Sequence, residues 1–196
     1  VENQDFTLPA LSEKDKVAVE IAKKHNIKFL NLSFADTKDD VLLLKNLYPE
    51  AKVISKIETQ KGVNNLNEIL EASDAILIDR GDLSREVPIE RISFAQKVII
   101  KRAKALKTPV FVATNFLDTM MKSMKPSRAE VNDIINTLLD GADGLVLAAE
   151  TAIGKNPIAT INLMKNLCSE TENLLNKNFF ENLTKDHMID SIQEIE

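Results

Sequence analysis

Four apolar runs in this chain end in residues able to do chemistry: Lys56 and Glu58 in "KVISKIE", Asp82 after "AILIDRG", Thr114 and Asn115 in "PVFVATN", and Glu150 with Thr151 in "GLVLAAET". Side chains two apart on a strand point to the same side, so Lys56 and Glu58 bring a cation and a carboxylate together near one strand end. A single such pair is an ordinary surface ion pair and contributes little. Four polar strand ends in succession, three of them with a carboxylate, form the pattern of a site. Glu58 and Asp82 offer hard oxygens to a divalent cation, since Mg²⁺ is held by one or two carboxylates with substrate oxygens and waters completing its octahedron. Gly81 has no Cβ, so backbone N–H groups near it can come close to a substrate carboxylate. Lys56 adds a point positive charge where an anion develops.

These residues need a scaffold that brings strand ends to one face. The runs 28–34, 52–58, 74–79, 109–115 and 144–150 are nearly continuous Val, Ile, Leu and Phe and read as strands buried on both sides. Helical spacing fills the intervals. Residues 12–26 open with a capping-type Ser12 and Asp15, 37–49 end at a proline, and 61–73 space Val63, Leu66, Ile69 and Leu70 along one side. Residues 88–107 begin with Pro88 in a first turn, 126–141 stop at Gly141, and 157–175 close the series. A helix followed by strand–helix units predicts an α/β fold with a parallel sheet. No G-x-G-x-x-G follows any strand, which removes the usual sign of a doubly wound dinucleotide fold. A (β/α)8 barrel usually takes ~250 residues. Two architectures therefore compete, an open doubly wound sheet and a (β/α)8 barrel; if the 196 residues and five strands here belong to a barrel, about three of its strands are not in this chain.

Composition narrows the function classes. The chain is 44% hydrophobic and 28% charged, enough for one sizeable core. A net charge of −5 with no basic run argues against nucleic acid or an anionic membrane as the main partner. Cys168 is the only cysteine, so no internal disulfide forms and a reducing, cytoplasmic compartment is expected. No apolar run reaches the ~18 residues of a membrane span. The opening "VENQDFTLPA", with neither Met nor a signal peptide, reads as a processed or partial chain. Residues 1–168 are expected to form the partial barrel and 169–196 a helical tail, either packed on its own domain or free for a partner. His25 and His187 read as solvated, and Arg128 with Glu130 as a structural or subunit-contact pair.

The stretches "LPALSEKD", "SKIETQKGVNNLNEILEASDAILIDRGDL", "FAQKVIIKRAKALKTPVFVAT", "PSRAEVNDIINTLLDGADGLVL" and "ETAIGKNPI" resemble the second half of the catalytic barrel of pyruvate kinase. The resemblance covers about residues 8–170 and implies a TIM barrel of the phosphoenolpyruvate/pyruvate superfamily, of which this chain carries strands four to eight. It implies Lys56 as the lysine that stabilises the transferring phosphoryl group and the enolate. Glu58 and Asp82 take the part of metal ligands. Arg80, Gly81 and Asp82 belong to the substrate-binding turn, and Thr114 lies near the carbon that is protonated. Glu150 matches an acid after the eighth strand. Mg²⁺ or Mn²⁺ is the implied cofactor. K⁺ serves the parent family through early-strand ligands that these rows do not contain, and the family's phosphate-binding arginine lies there too. Phosphoenolpyruvate, pyruvate and a nucleoside diphosphate are the implied partners, with homo-oligomerisation or completion by the missing strands.

The sequence departs from the family pattern in three places. "GDLG" is "GDLSRE", which brings Ser84 and Arg85 beside the metal position; "ATQ" is "ATN" at Asn115; and "SGET" is "AAET", with Ala148 and Ala149. Two other functions stand beside the kinase: a metal-dependent pyruvate or oxaloacetate aldolase, towards which Ser84 leans, and a non-catalytic partial barrel. Lys56 and the long matches from 88 to 157 favour the kinase. The chain alone is expected to bind the metal weakly and to transfer phosphoryl groups poorly.

Overall fold

Local sequence signals start the first two helices. The structure, a computed structural model, describes residues 9–176. In α1 (Glu13–Lys24) the Ser12 hydroxyl accepts the Asp15 N–H while the Asp15 carboxylate accepts the Ser12 N–H, a reciprocal capping box. Thr37 and Asp40 repeat the device at α2 (Lys38–Leu47). The helical stretch 61–73 forms as two pieces, α3 (Gln60–Asn64) and α4 (Leu66–Ala72). They part at Asn65, whose side chain donates to the Asp36 carbonyl at 2.8 Å. Gly62 in α3 lies so close to a neighbouring loop that a Cβ would stand 2.8 Å from the Ala35 carbonyl oxygen.

The strands are β1 (Phe29–Leu32), β2 (Lys52–Ile57), β3 (Ala75–Asp79), β4 (Val110–Ala113) and β5 (Gly144–Val146). They form one parallel five-stranded sheet in the order β1-β2-β3-β4-β5. The fold is therefore α/β, with the strand order of a partial barrel of the TIM type. Every strand is shorter than its apolar run, and β4 and β5 stop before the polar residues that close theirs. β4 ends at Ala113 because Thr114 and Asn115 take positive φ of 74° and 58°. β5 ends at Val146, and Glu150 begins no strand end but sits in the short α8 (Ala149–Ala152).

Register divides the sheet into two faces. Ser55, Ile76 and Val110 form one cross-strand row and Ile57, Ile78 and Val112 the next, all fully buried. Helices α4 and α6 (Ile89–Ala105) supply Ile69, Leu70, Ile99 and Ile100, also fully buried. The opposite face carries Phe29, Asn31, Ile54, Lys56, Leu77, Asp79 and Phe111, several of them part-exposed. At the sheet edge formed by β1, Phe29 and Phe34 stand exposed.

The start of β3 and β5 is marked by a carboxylate. Asp74 accepts the Val53 N–H at 3.0 Å and pairs with Lys45 and Lys52 at 2.9 and 3.0 Å. Asp143 accepts the Val110 N–H at 2.9 Å and pairs with Lys104 at 2.9 Å. Burial pushes the Asp74 carboxyl up, but these hydrogen bonds and cations more than reverse that and pull it down to about 2.

The described residues divide into two compact units: 9–115 together with Asp140–Ala148, and Phe116–Leu139 together with 149–176. All five strands lie in the first. In the second, α7 (Arg128–Leu139) packs on α9 (Pro157–Asn176), burying Ile134 and Met164. Glu130 closes the start of α7, accepting the Ser127 and Thr119 N–H groups at 2.6 and 2.7 Å. Helix α9 runs unbroken through residue 168. Most of the tail expected at 169–196, with His187, lies outside the described residues.

Candidate active site

β2 delivers Lys56 and, one residue past its end, Glu58, on the same side of the sheet. Leu77 of β3 is the register partner of Lys56, so two residues further along the same side stands Asp79. The Lys56 ammonium lies 2.5 Å from Glu58 Oε1 and 3.2 Å from Asp79 Oδ2. Burial alone would lower the Lys56 pKa; Glu58 and then Asp79 more than offset it and hold the amine above the ordinary lysine range. Lys56 is a fixed positive charge at neutral pH.

Glu58 is only 2% exposed. Its Oε2 accepts the Phe34 N–H at 2.6 Å. Its Oε1 has the Lys56 ammonium as an ionic neighbour but no well-directed hydrogen bond, which leaves a buried carboxylate oxygen under-satisfied. Glu58, Asp79 and Asp82 each offer an oxygen within 4.8 Å of the others. Opposite ligands of Mg²⁺ stand about 4.2 Å apart at ~2.1 Å per bond, so small side-chain adjustments suffice to close on one ion. Hard oxygens, an excess of negative charge and an under-satisfied buried oxygen all fit a divalent cation.

Asp82 sits in α5 (Arg80–Leu83), where Arg85 reaches its Oδ1 at 3.3 Å from an exposed position. Ser84 donates to the Gly81 carbonyl at 2.8 Å. The departures at Ser84 and Arg85 thus brace the turn and place a solvent-side cation on one carboxylate.

Arg80 turns towards β4. Its Nε and Nη2 both donate to the Thr114 carbonyl, at 3.1 and 2.5 Å, and Nη1 reaches Gln96 Oε1 at 3.4 Å. The Gly81 N–H donates to Thr114 Oγ1 at 2.9 Å. Thr114 is β-branched at positive φ, a conformation that costs roughly 1–3 kcal/mol unless its surroundings hold it. Arg80 and Gly81 are what hold it. A Cβ on Gly81 would meet only ordinary contacts, the nearest 3.5 Å away at Asp79 Oδ1. Packing within the chain therefore does not demand glycine here.

Lys56, Glu58, Arg80, Gly81, Asp82 and Thr114 come together in the first unit. Glu150 belongs to the second, where it is buried and accepts the Phe116 N–H at 3.2 Å. His25 ends α1 as an exposed C-cap. Sequence reasoning missed Asp79. The sequence marks it only as the polar last residue of the apolar run 74–79; the register that pairs Leu77 with Lys56 brings it to the ammonium. A cavity of about 600 Å³ beside β1, lined by Leu11, Asp15, Leu30, Phe34, Asp36 and Lys61 among others, includes none of the clustered residues.

Comparison with known proteins adds an independent line. The family described as "Pyruvate kinase, barrel domain" matches residues 1–161. A pyruvate kinase of Clostridium acetobutylicum is 40% identical over 185 residues, 92% of this chain and 39% of its own length. One from Thermotoga maritima is 40% identical over 190 residues, covering 95% of this chain and 40% of that protein. A crystal structure of a pyruvate kinase from Cryptosporidium parvum superposes with a TM-score of 0.81 at 39% identity, over 85% of this chain and 36% of that one. The chain thus spans about two fifths of the length of these curated relatives. None of these findings supports the aldolase alternative.

Proposed function

This chain belongs to the pyruvate kinase family, and on that premise we propose that its first unit carries the enolpyruvate half of a metal-dependent phosphotransferase site. The reaction of the whole enzyme would be phosphoenolpyruvate and ADP to pyruvate and ATP. The observation that carries this reading is the convergence of one charged lysine, three carboxylates and a strained threonine at neighbouring strand ends.

Glu58 and Asp82 would hold Mg²⁺ or Mn²⁺, which supplies Lewis-acid stabilisation of an enolate and of phosphate oxygens. Lys56 stays protonated and presents its ammonium beside the same oxygens, where a positioned charge is worth most in a water-poor site. Thr114 Oγ1 accepts the Gly81 N–H and lies 2.6 Å from the Ala113 carbonyl, so its hydroxyl is held in one place beside the cluster. That location suits a group handling a proton at the carbon next to the enolate. Arg80 keeps Thr114 in its strained conformation through the Thr114 carbonyl. A substrate carboxylate meeting the Gly81 turn would compete with Thr114 for that N–H.

A glycolytic role in the cytoplasm and assembly with further copies or with the remainder of a barrel go with this reading. No helix among the described residues is long and apolar enough to cross a membrane. The test pairs a coupled kinase assay with deuterium uptake into pyruvate, each with Mg²⁺ and with Lys56→Ala and Asp82→Ala controls. Metal-dependent uptake that both substitutions abolish is the expected result, with slow phosphoryl transfer. Uptake indifferent to both substitutions would sink the assignment. So would a chain inert in both assays that gains no activity when supplied with the rest of a pyruvate kinase barrel.

A further inference from the structure

We propose that Asp79 is a positioning residue for Lys56: it keeps the ammonium in the site when Glu58 is given over to a divalent cation. The proposal rests on the reading of Glu58 and Asp82 as cation ligands and deepens it.

Lys56 has two anchors, Glu58 Oε1 and Asp79 Oδ2. The Glu58 oxygen best placed to take a cation is Oε1, because Oε2 already accepts the Phe34 N–H. That oxygen is the one on which Lys56 rests. An ammonium and a dication repel at such range and do not share one buried oxygen closely. Cation binding at Glu58 therefore displaces Lys56 from its shorter contact.

Asp79 offers the nearest alternative. It projects from the adjacent strand on the same face of the sheet, and its side chain is 12% exposed against 21% for Lys56. A small movement transfers the ammonium from a shared position to Asp79 alone, without entry into bulk water. Lys56 then remains beside the cation and available to a developing anion. Without Asp79 the amine either leaves for solvent or stays on Glu58 and opposes the cation. Asp79 does not itself need to ligate: Oδ2 is engaged by Lys56, and Oδ1 faces the Thr114 hydroxyl at 3.4 Å.

The test uses the full chain, with Mn²⁺ as probe, and two readouts that need no turnover. The first is the reactivity of Lys56 towards acetic anhydride, read by peptide mass spectrometry. Wild-type Lys56 should be protected with and without Mn²⁺. In Asp79→Asn it should be protected without the ion and become about tenfold more reactive at saturating Mn²⁺, a size typical of lost outer-shell support. The second is Mn²⁺ affinity by electron paramagnetic resonance in a double-mutant cycle. Asp79→Asn should weaken binding about tenfold when Lys56 is present and less than about twofold in a Lys56→Met background. Asp79→Ala repeats both measurements in case the amide still accepts from the ammonium, and circular dichroism confirms folding.

Lys56 equally protected in Mn²⁺-loaded wild type and both Asp79 variants would overturn the proposal. So would an affinity loss of equal size in the Lys56→Met background, which would make Asp79 a direct ligand. Failure of the underlying reading looks different: Glu58→Gln and Asp82→Asn would leave Mn²⁺ affinity unchanged. Glu58 would then not be a ligand, and the proposal would fall with it.

Discussion

The two ends of the same strands treat carboxylates in opposite ways. Before β3 and β5, Asp74 and Asp143 each receive one backbone N–H and at least one lysine of their own. At and just beyond the C-terminal ends of β2 and β3, Glu58, Asp79 and Asp82 crowd within 4.8 Å, with one enclosed ammonium among them. At the first end every charge is matched, and the carboxylates act as clasps between strands. At the second the negative charge exceeds its internal partners, which is unfavourable for the isolated chain and favourable for taking up a cation. Parallel α/β barrels divide labour in this way, with chemistry at the C-terminal ends of strands and stability at the other, and the proposed reading assigns the crowded end to chemistry.

Four substitutions and one pH series test this contrast. The largest effect is expected from Asp82→Asn. Mn²⁺ binding and metal-dependent proton exchange on pyruvate should fall by ~10²-fold or more, while the thermal midpoint stays level or rises as repulsion is relieved. A large loss of stability would mean that the crowded end is also structural.

Asp74→Asn should do the reverse. It should cost about 1 kcal/mol in urea unfolding, a modest figure because solvent screens the lysine partners, and leave Mn²⁺ affinity unchanged. The pH dependence follows from the same group. The folded carboxyl is depressed to about 2 from 3.8. Its stabilisation is therefore complete above about pH 4 and fades as the pH falls towards 2 and below. The stability gap between wild type and Asp74→Asn should close over that window. A gap that persists at pH 2 would assign the effect to something other than the charge.

Thr114→Gly should leave stability equal or raise it by up to about 1 kcal/mol, since glycine adopts positive φ without strain. It should still slow exchange by removing Oγ1. The smallest effect belongs to Arg85→Ala. An exposed pair contributes about 0–1 kcal/mol, so stability should barely move, while Mn²⁺ affinity should rise two- to threefold, about 0.4–0.7 kcal/mol, as a competing cation leaves Asp82.

Much of this was legible along the chain. Strand–helix alternation, the shared side of Lys56 and Glu58, the Ser12–Asp15 cap and the turn at Gly141, where φ is 103°, depend on neighbours in sequence. Periods of 2 and 3.6 residues and cap chemistry express such local preferences directly. The run 61–73 reads as one helix because its apolar spacing is continuous; the break comes from Asn65 reaching Asp36, 29 residues away.

The partners of the charged groups were decided across the sheet. Glu58 meets an N–H 24 residues upstream, and Arg80 grips a carbonyl 34 residues downstream. Asp79 reads locally as the polar end of an apolar strand. Only the register that sets Lys56 opposite Leu77 brings it to the ammonium. A shift of one residue would turn it to the other face. Likewise, nothing in "VATN" announces positive φ at a β-branched residue. That conformation exists because Arg80 and Gly81, folded back from β3, hold Thr114 in it. Composition and spacing specify which elements form and which side chains share a side. Register and packing choose which charges meet, because those contacts join residues that have no local reason to be neighbours.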